Sequence, residues 1–186
     1  MVKELEVIRY GDDRGYFFES WNKDSLEKQG IYVDFVQSNI SKSCIMTIRG
    51  MHMQTGIHSQ AKLIQVIKGG IIDFVVCVDP KNEEFGVVKK FIITDKNRKA
   101  LFIPKNYLHG FIALDDDTLV TYMCDEFWHR ESEISINPLS IREIQSTFDI
   151  TGKIARKHSE IIISEKDAKG LDFYEFLDNV KKNGLI

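Results

Sequence analysis

The chain has 186 residues, 43% of them hydrophobic, and a formal net charge of -3. That suffices for one domain over residues 1–186 with a full core. The near-neutral balance supplies no general field for nucleic acid, and no apolar window approaches the roughly 18 residues of a membrane span. The three cysteines, Cys44, Cys77 and Cys124, show no CxxC spacing. They fit a reducing, cytoplasmic setting and read as small buried apolar residues. The first residues, MVKELEVIRYGDD, carry charges throughout, so no signal peptide is expected.

In chain order, residues 1–10 read as a short strand and Gly11 to Gly15 as a turn rich in Gly and Asp. Tyr16 to Trp21 is an aromatic strand. Asn22 to Gly30 reads as a short helix, capped by Asp24 or Ser25 and stopped by Gly30. Val33 to Ile40 alternates. Ile45–Met53, Ala61–Ile67, Ile71–Val78, Gly86–Thr94, Ala100–Ile103, His109–Leu114 and Thr118–Cys124 then follow as strands with turn chemistry between them. Glu126 to Asn137 reads as loop. Asp167 to Lys182 has apolar residues Phe173, Phe176, Leu177 and Val180 at helical spacing, and Ser164 stands where it can cap. The expectation is a mainly β jelly-roll barrel over about residues 33–125, with a small C-terminal helix over about 167–182.

The chemistry gathers in IRGMHMQTGIHSQAKLIQVIKG, residues 48–69. Period two puts Ile48, Gly50, His52 and Gln54 on one strand face, and Lys62, Ile64, Val66 and Lys68 on another. A hairpin closed by Thr55–Gln60 brings His52 and Lys62 to one surface. Two readings stand at this point: a base and a cation facing one cavity, or the polar rim of a sheet. His109 and Tyr122 sit on later strands. A neutral imidazole takes a proton, a phenol gives one, and a lysine beside a carbonyl stabilises an enolate. His58, His129 and His158 read as surface residues. Phe127 and Trp128 read either as core aromatics or as a stacking surface.

The runs GDDRGYFFESW, FVQSN, IRGMHMQ, QAKLIQVIKG, DFVVCVD, IPKNYLHGF and TYMCDEFW occur in that order over about residues 10–130, and SEKDAKGLD follows later. On these the chain resembles the dTDP-4-dehydrorhamnose 3,5-epimerase family, cupin-fold enzymes of nucleotide sugars that serve surface-polysaccharide biosynthesis. The resemblance implies proton abstraction next to the C4 ketone of a nucleoside-diphosphate 4-keto-6-deoxy sugar, with return of a proton on the opposite face. It implies His52 as base, Asp167 as its carboxylate partner, Lys62 and His109 at the enolate oxygen, and Tyr122 as acid. It assigns Arg14, Phe17, Glu19, Gln37, Asn39, Arg49 and Glu133 to substrate binding. It further implies a homodimer in which the N-terminal strand reaches the neighbour's site, so that Arg14 to Glu19 act in trans. Ala61 replaces a usual glycine, and ESEISINPLSI lacks the tryptophan of a WNDP-like run. The nucleotide therefore stays open between a dTDP-hexose and a GDP-linked hexose or heptose, and inversion between C3 alone and both centres.

Two rival classes are weighed. A metal-dependent cupin isomerase or dioxygenase needs an HxH pair, and this chain has His52-Met53-Gln54. A non-catalytic sugar-binding barrel has no use for His52, Lys62 and Tyr122 together. No metal and no cofactor are expected.

Overall fold

The structure, a computed structural model, describes residues 1–155 and 160–184. The chain opens with β1 (Lys3–Glu6), then a hairpin of β2 (Arg9–Asp12) and β3 (Gly15–Phe18). Helix α1 (Lys23–Lys28) is capped by Asn22, whose side chain accepts from the Ser25 amide, rather than by Asp24 or Ser25. Gly30 ends the turn at φ +73°, where a side chain is disfavoured.

Eight strands follow: β4 (Gln37–Ser43), β5 (Ile48–Gln54), β6 (Lys62–Lys68), β7 (Gly70–Cys77), β8 (Val88–Thr94), β9 (Lys99–Ile103), β10 (Tyr107–Ala113) and β11 (Thr118–Cys124). A short strand β12 (Glu133–Ser135) comes next. They form two antiparallel five-stranded sheets, ordered β1-β9-β6-β11-β4 and β12-β5-β10-β7-β8. Between them lies a core that draws Ile64, Val66, Leu101 and Val120 from the first sheet and Ile71, Val75, Ile93 and Phe111 from the second. Strand β7 is apolar apart from Asp73 because both its faces are covered, Ile71 and Val75 inside and Phe74 and Val76 outside.

Helices α2 (Arg142–Ala155), α3 (Glu165–Ala168) and α4 (Phe173–Asn183) complete the described chain. Ile144 of α2 and Phe173, Phe176 and Val180 of α4 pack on the outer face of the second sheet. Leu26 of α1 and Ile31 just after it pack on the outer face of the first sheet, against Leu5 of β1, Leu63 of β6 and Phe102 of β9.

Several expectations are corrected. The helix read over 167–182 is two helices. Ser164, expected to cap that one helix, caps only the four-residue α3, and a break at Gly170–Asp172 lets Asp172 cap α4 by accepting from the Tyr174 and Glu175 amides. The stretch read as loop, 126–137, contains β12, an edge strand paired with β5 so that Ser135 faces His52 in register. Helix α2 is an addition to the expected elements. Strands β5 and β6 are not a hairpin: they belong to different sheets, and Thr55–Gln60 crosses between them.

Strict alternation along β5 also fails. The register to β10 slips between His109↔His52 and Phe111↔Arg49, so Arg49 and His52, three positions apart, reach the same cavity. Gly50 sits at the slip with φ +99°, and a Cβ there would meet the His109 carbonyl oxygen at 2.6 Å. Ile48 instead packs with Met51 and Met53 in the outer core.

Candidate active site

The mouth of the barrel holds a cavity of about 490 Å³. Arg49, His52, Lys62, His109, Tyr122 and Asp167 line it. A smaller chamber of about 230 Å³ shares His52, Lys62 and Tyr122 and adds Gln37, Asn39 and Glu133. The sheets supply opposing walls: His52 and His109 come from the second, Lys62 and Tyr122 from the first. The cavity reading of His52 and Lys62 therefore holds over the polar-rim reading, though through two sheets and not one hairpin.

His52 Nε2 lies 2.6 Å from Asp167 Oδ1. Asp167 is buried, and the Gly50 amide donates to its other oxygen at 3.4 Å. Burial alone would raise this carboxyl. The His52 hydrogen bond and charge, Ser164 and the Gly50 amide outweigh it and hold the pKa below its ordinary 3.8. The Asp167 side chain thus serves His52, while the Ser164 hydroxyl caps α3. With Nε2–H donating to the carboxylate, the free lone pair of a neutral His52 is on Nδ1. Glu133 Oε1 is 3.9 Å from that nitrogen.

A second pair escaped the sequence reading. His109 Nε2 sits 2.8 Å from Oδ2 of Asp73, a fully buried residue of β7. Burial raises the Asp73 carboxyl, and the charge and hydrogen bond of His109 oppose this. Its other oxygen, Oδ1, has no hydrogen-bond partner among the described residues. The signal was present in GIIDFVVC: a lone acid in a run buried on both faces needs a partner.

Desolvation pulls the Lys62 pKa down against nearby Cys124, Asp125, Glu133 and Asp73, so its proton is more easily given up than a surface lysine's. Desolvation raises Tyr122, which keeps its phenol protonated at neutral pH. Arg49 donates to the Ser43 hydroxyl and to the Lys42 carbonyl, each at 2.9 Å, and still lines the larger cavity. Gln37 Nε2 donates to Asn39 Oδ1 at 3.0 Å, while Gln37 Oε1 accepts from the Trp128 amide.

Arg14, Phe17 and Glu19 are not brought to this cavity. Arg14 pairs with Asp12 at the exposed hairpin tip, and Phe17 is exposed beside it. Glu19 accepts from Asn22 at 3.2 Å. Phe127 and Trp128 are exposed rim residues and not core aromatics, and Trp128 lines the smaller chamber. His58 and His129 are half-buried and stacked, with ring centroids 3.9 Å apart, where free surface positions were expected. His158 lies outside the described residues. Cys77 and Cys124 are buried, but Cys44 is exposed. Among the described residues no group of three His, Cys, Asp or Glu side chains is placed to hold a metal ion.

The barrel, with two imidazole–carboxylate pairs at its mouth, is of the cupin type. The family model for dTDP-4-dehydrorhamnose 3,5-epimerase matches residues 2–175. A relative so named from Methanothermobacter thermautotrophicus is 36% identical over 167 residues, spanning 90% of this chain and 85% of the relative. One from Escherichia coli K12 is 37% identical over 133 residues, 71% of this chain and 72% of its own. Among solved structures, the Bacillus anthracis enzyme of that name, with TDP and PPi bound, has a TM-score of 0.79 at 35% identity and covers 91% of this chain and 92% of its own. The Legionella pneumophila enzyme, in complex with dTDP-4-keto-L-rhamnose, has a TM-score of 0.80 at 31% identity, covering 93% and 88%. The chain belongs to the dTDP-4-dehydrorhamnose 3,5-epimerase family.

Proposed function

We propose that the protein inverts C3 and C5 of a thymidine-diphosphate 4-keto-6-deoxyhexose by removing a proton beside the ketone and returning one from the opposite side. The observation that carries this is His52, held by Asp167 on one wall, across the cavity from Tyr122 on the other. The C4 ketone acidifies the neighbouring C–H bonds. His52 Nδ1 takes the proton, and Asp167 stabilises the imidazolium. The enolate oxygen lies beside Lys62, whose ammonium charge and hydrogen bond offset the developing negative charge, with His109 bordering the same space. Tyr122 then delivers its proton to the face away from His52, because one group cannot serve both faces of a fixed ring.

Arg49 and Ser41, in the larger cavity, suit the diphosphate. Gln37, Asn39 and Glu133, in the smaller chamber, suit the sugar hydroxyls. A thymidine nucleotide is favoured over GDP, and a hexose over a heptose, by the names of the relatives and by the ligands of the two solved structures. No described helix is long and apolar enough to cross a membrane, and the free cysteines fit a reducing cytoplasm.

A homodimer is part of the same proposal. The β2–β3 hairpin exposes Tyr10, Tyr16 and Phe17, with Arg9 stacked on Tyr16 and Phe18, and carries Arg14. Such a surface suits the mouth of a second copy, where Arg14 and Phe17 would meet phosphate and base.

The test is incubation with dTDP-4-keto-6-deoxyglucose, and separately with its GDP counterpart, in deuterium oxide. NMR of the recovered sugar is expected to show deuterium at C3 and C5 for the thymidine substrate. Absence of incorporation from both substrates overturns the proposal.

A further inference from the structure

His52 has a carboxylate on each side. Asp167 holds Nε2 at 2.6 Å, whereas Glu133 Oε1 stands 3.9 Å from Nδ1, near it but outside hydrogen-bond range. Glu133 is occupied elsewhere: Lys166 Nζ donates to Oε1 at 2.6 Å and Trp128 Nε1 donates to Oε2 at 2.9 Å. Burial alone would raise the Glu133 carboxyl. The hydrogen bonds from Lys166 and Trp128 and the charge of His52 outweigh it, so Glu133 is ionised at neutral pH.

The two ends of the ion pair differ in their surroundings. The Glu133 side chain keeps 12% of its surface, but that of Lys166 keeps 56%. Lys166 also borders the larger cavity with Arg49, Ser41 and Ser164. An ammonium on a flexible stem, half in solvent, can change partner within the reach of its own side chain. A diphosphate in that cavity brings more negative charge than one carboxylate and several strong acceptor oxygens.

We propose that Lys166 couples diphosphate binding to the base: the bound diphosphate draws Lys166 away from Glu133, and the freed Glu133 carboxylate then stabilises the imidazolium that His52 becomes. This rests on the proposed function, since it takes the cavity's ligand to be a nucleoside diphosphate. Lys166 is thereby a phosphate contact and Glu133 a positioning residue acting through His52. Free enzyme keeps Glu133 neutralised, and proton abstraction is strongest when the correct substrate fills the phosphate end.

The other charged or titratable groups facing His52 are fixed by different elements. Asp167 is on α3, Lys62 on β6, Tyr122 on β11, Arg49 on β5, and His109 on β10 with Asp73 beneath it on β7. Asp167 is tied down by Gly50 and Ser164, and Asp73 faces His109 rather than His52. The Lys166–Glu133 pair lies beside His52 and its cation, half in solvent, borders the larger cavity, so a ligand there can rearrange it.

The test is a pH titration of the histidine nitrogen resonances in protein labelled at histidine, with and without saturating TDP. His52 is assigned by its loss in His52→Asn, and TDP binding is measured by calorimetry. TDP is expected to raise the His52 midpoint by roughly one pH unit in the parent. Glu133→Gln is expected to bind TDP and show no such rise. Lys166→Met is expected to start near the raised midpoint without TDP and to gain little from it. An equal rise in parent and Glu133→Gln means that the phosphates act on His52 directly, and overturns the proposal, as does a bound TDP that leaves the midpoint in place. If calorimetry finds no TDP binding to the parent, the proposed function falls and this coupling with it.

Discussion

Gly170 lies three residues after Asp167, at the end of α3, pressed against the chain leaving β12. A Cβ on it would meet the Asn137 amide nitrogen at 2.6 Å, the Ile136 carbonyl carbon at 2.7 Å and the Ser135 carbonyl oxygen at 2.9 Å. All three are backbone atoms of a segment held on both sides, since Asn137 N donates to Leu171 O and Leu171 N to Ser135 O. Ordinary contact begins near 3.4 Å, so Gly170→Ala must open this seam by about 0.8 Å. Overpacking of this kind destabilises a domain by about 1–3 kcal/mol. The displacement falls on α3 and stretches the 2.6 Å His52–Asp167 hydrogen bond beyond normal range. Misplacing a catalytic group by about 1 Å lowers rates on the order of 10²-fold. Solvent-deuterium exchange at C3 and C5 should therefore fall by that order in a folded variant. The assay is NMR in deuterium oxide with thermal melting on the same sample. A folded Gly170→Ala that exchanges at the parent rate would refute the view that this seam sets the position of Asp167.

Asp167→Asn should destabilise the fold at neutral pH by about 1–3 kcal/mol, the worth of a charged hydrogen bond. Because the native Asp167 pKa is depressed below 3.8, its contribution is present above that value and is lost as pH falls through the native pKa. Urea melts near neutral pH should separate parent and variant, and melts well below 3.8 should bring them together; a gap that persists in acid speaks against the assignment. Asp73→Asn should lower turnover on the order of 10²-fold by depriving His109 of its carboxylate. It should also destabilise the fold by about 1–3 kcal/mol, since a buried hydrogen bond to His109 is disturbed, and unchanged turnover in the folded variant would make the pair purely structural. Sedimentation equilibrium should find a dimer, and Arg14→Ala should raise KM more than it lowers kcat; a monomer with full activity would exclude a partner's hairpin from the site.

The barrel was legible because most of its strands alternate or are largely apolar, and because Gly and Asp mark the turns. The locations of His52, Lys62, His109 and Tyr122 in the cavity followed once the motifs were recognised. What period two could not deliver was the face that each residue takes on β5. The slip at Gly50 moves Arg49 to the His52 side, and only the close approach of the His109 carbonyl reveals why. Strand β12 was hidden in a polar stretch because its order comes from pairing with β5 and not from its own composition. The lone acid Asp73 needed its partner His109, whose position on the neighbouring strand is a matter of sheet order. The break between α3 and α4 lay in Gly170 and Asp172, which the apolar spacing of Phe173 to Val180 overrode in the sequence reading.

The central claim is that two groups on opposite walls act on opposite faces of one enolate, and Tyr122→Phe tests it most directly. Tyr122 lies on β11 of the first sheet and His52 on β5 of the second, so losing the phenol hydroxyl leaves the base and its carboxylate untouched. The measurement is NMR of substrate recovered from deuterium oxide at matched conversion, reading deuterium content and configuration together. The account predicts a split: substrate that has gained deuterium in its original configuration, with inversion reduced far more than exchange. Exchange and inversion lost in equal proportion, or inversion at the parent rate, would contradict it.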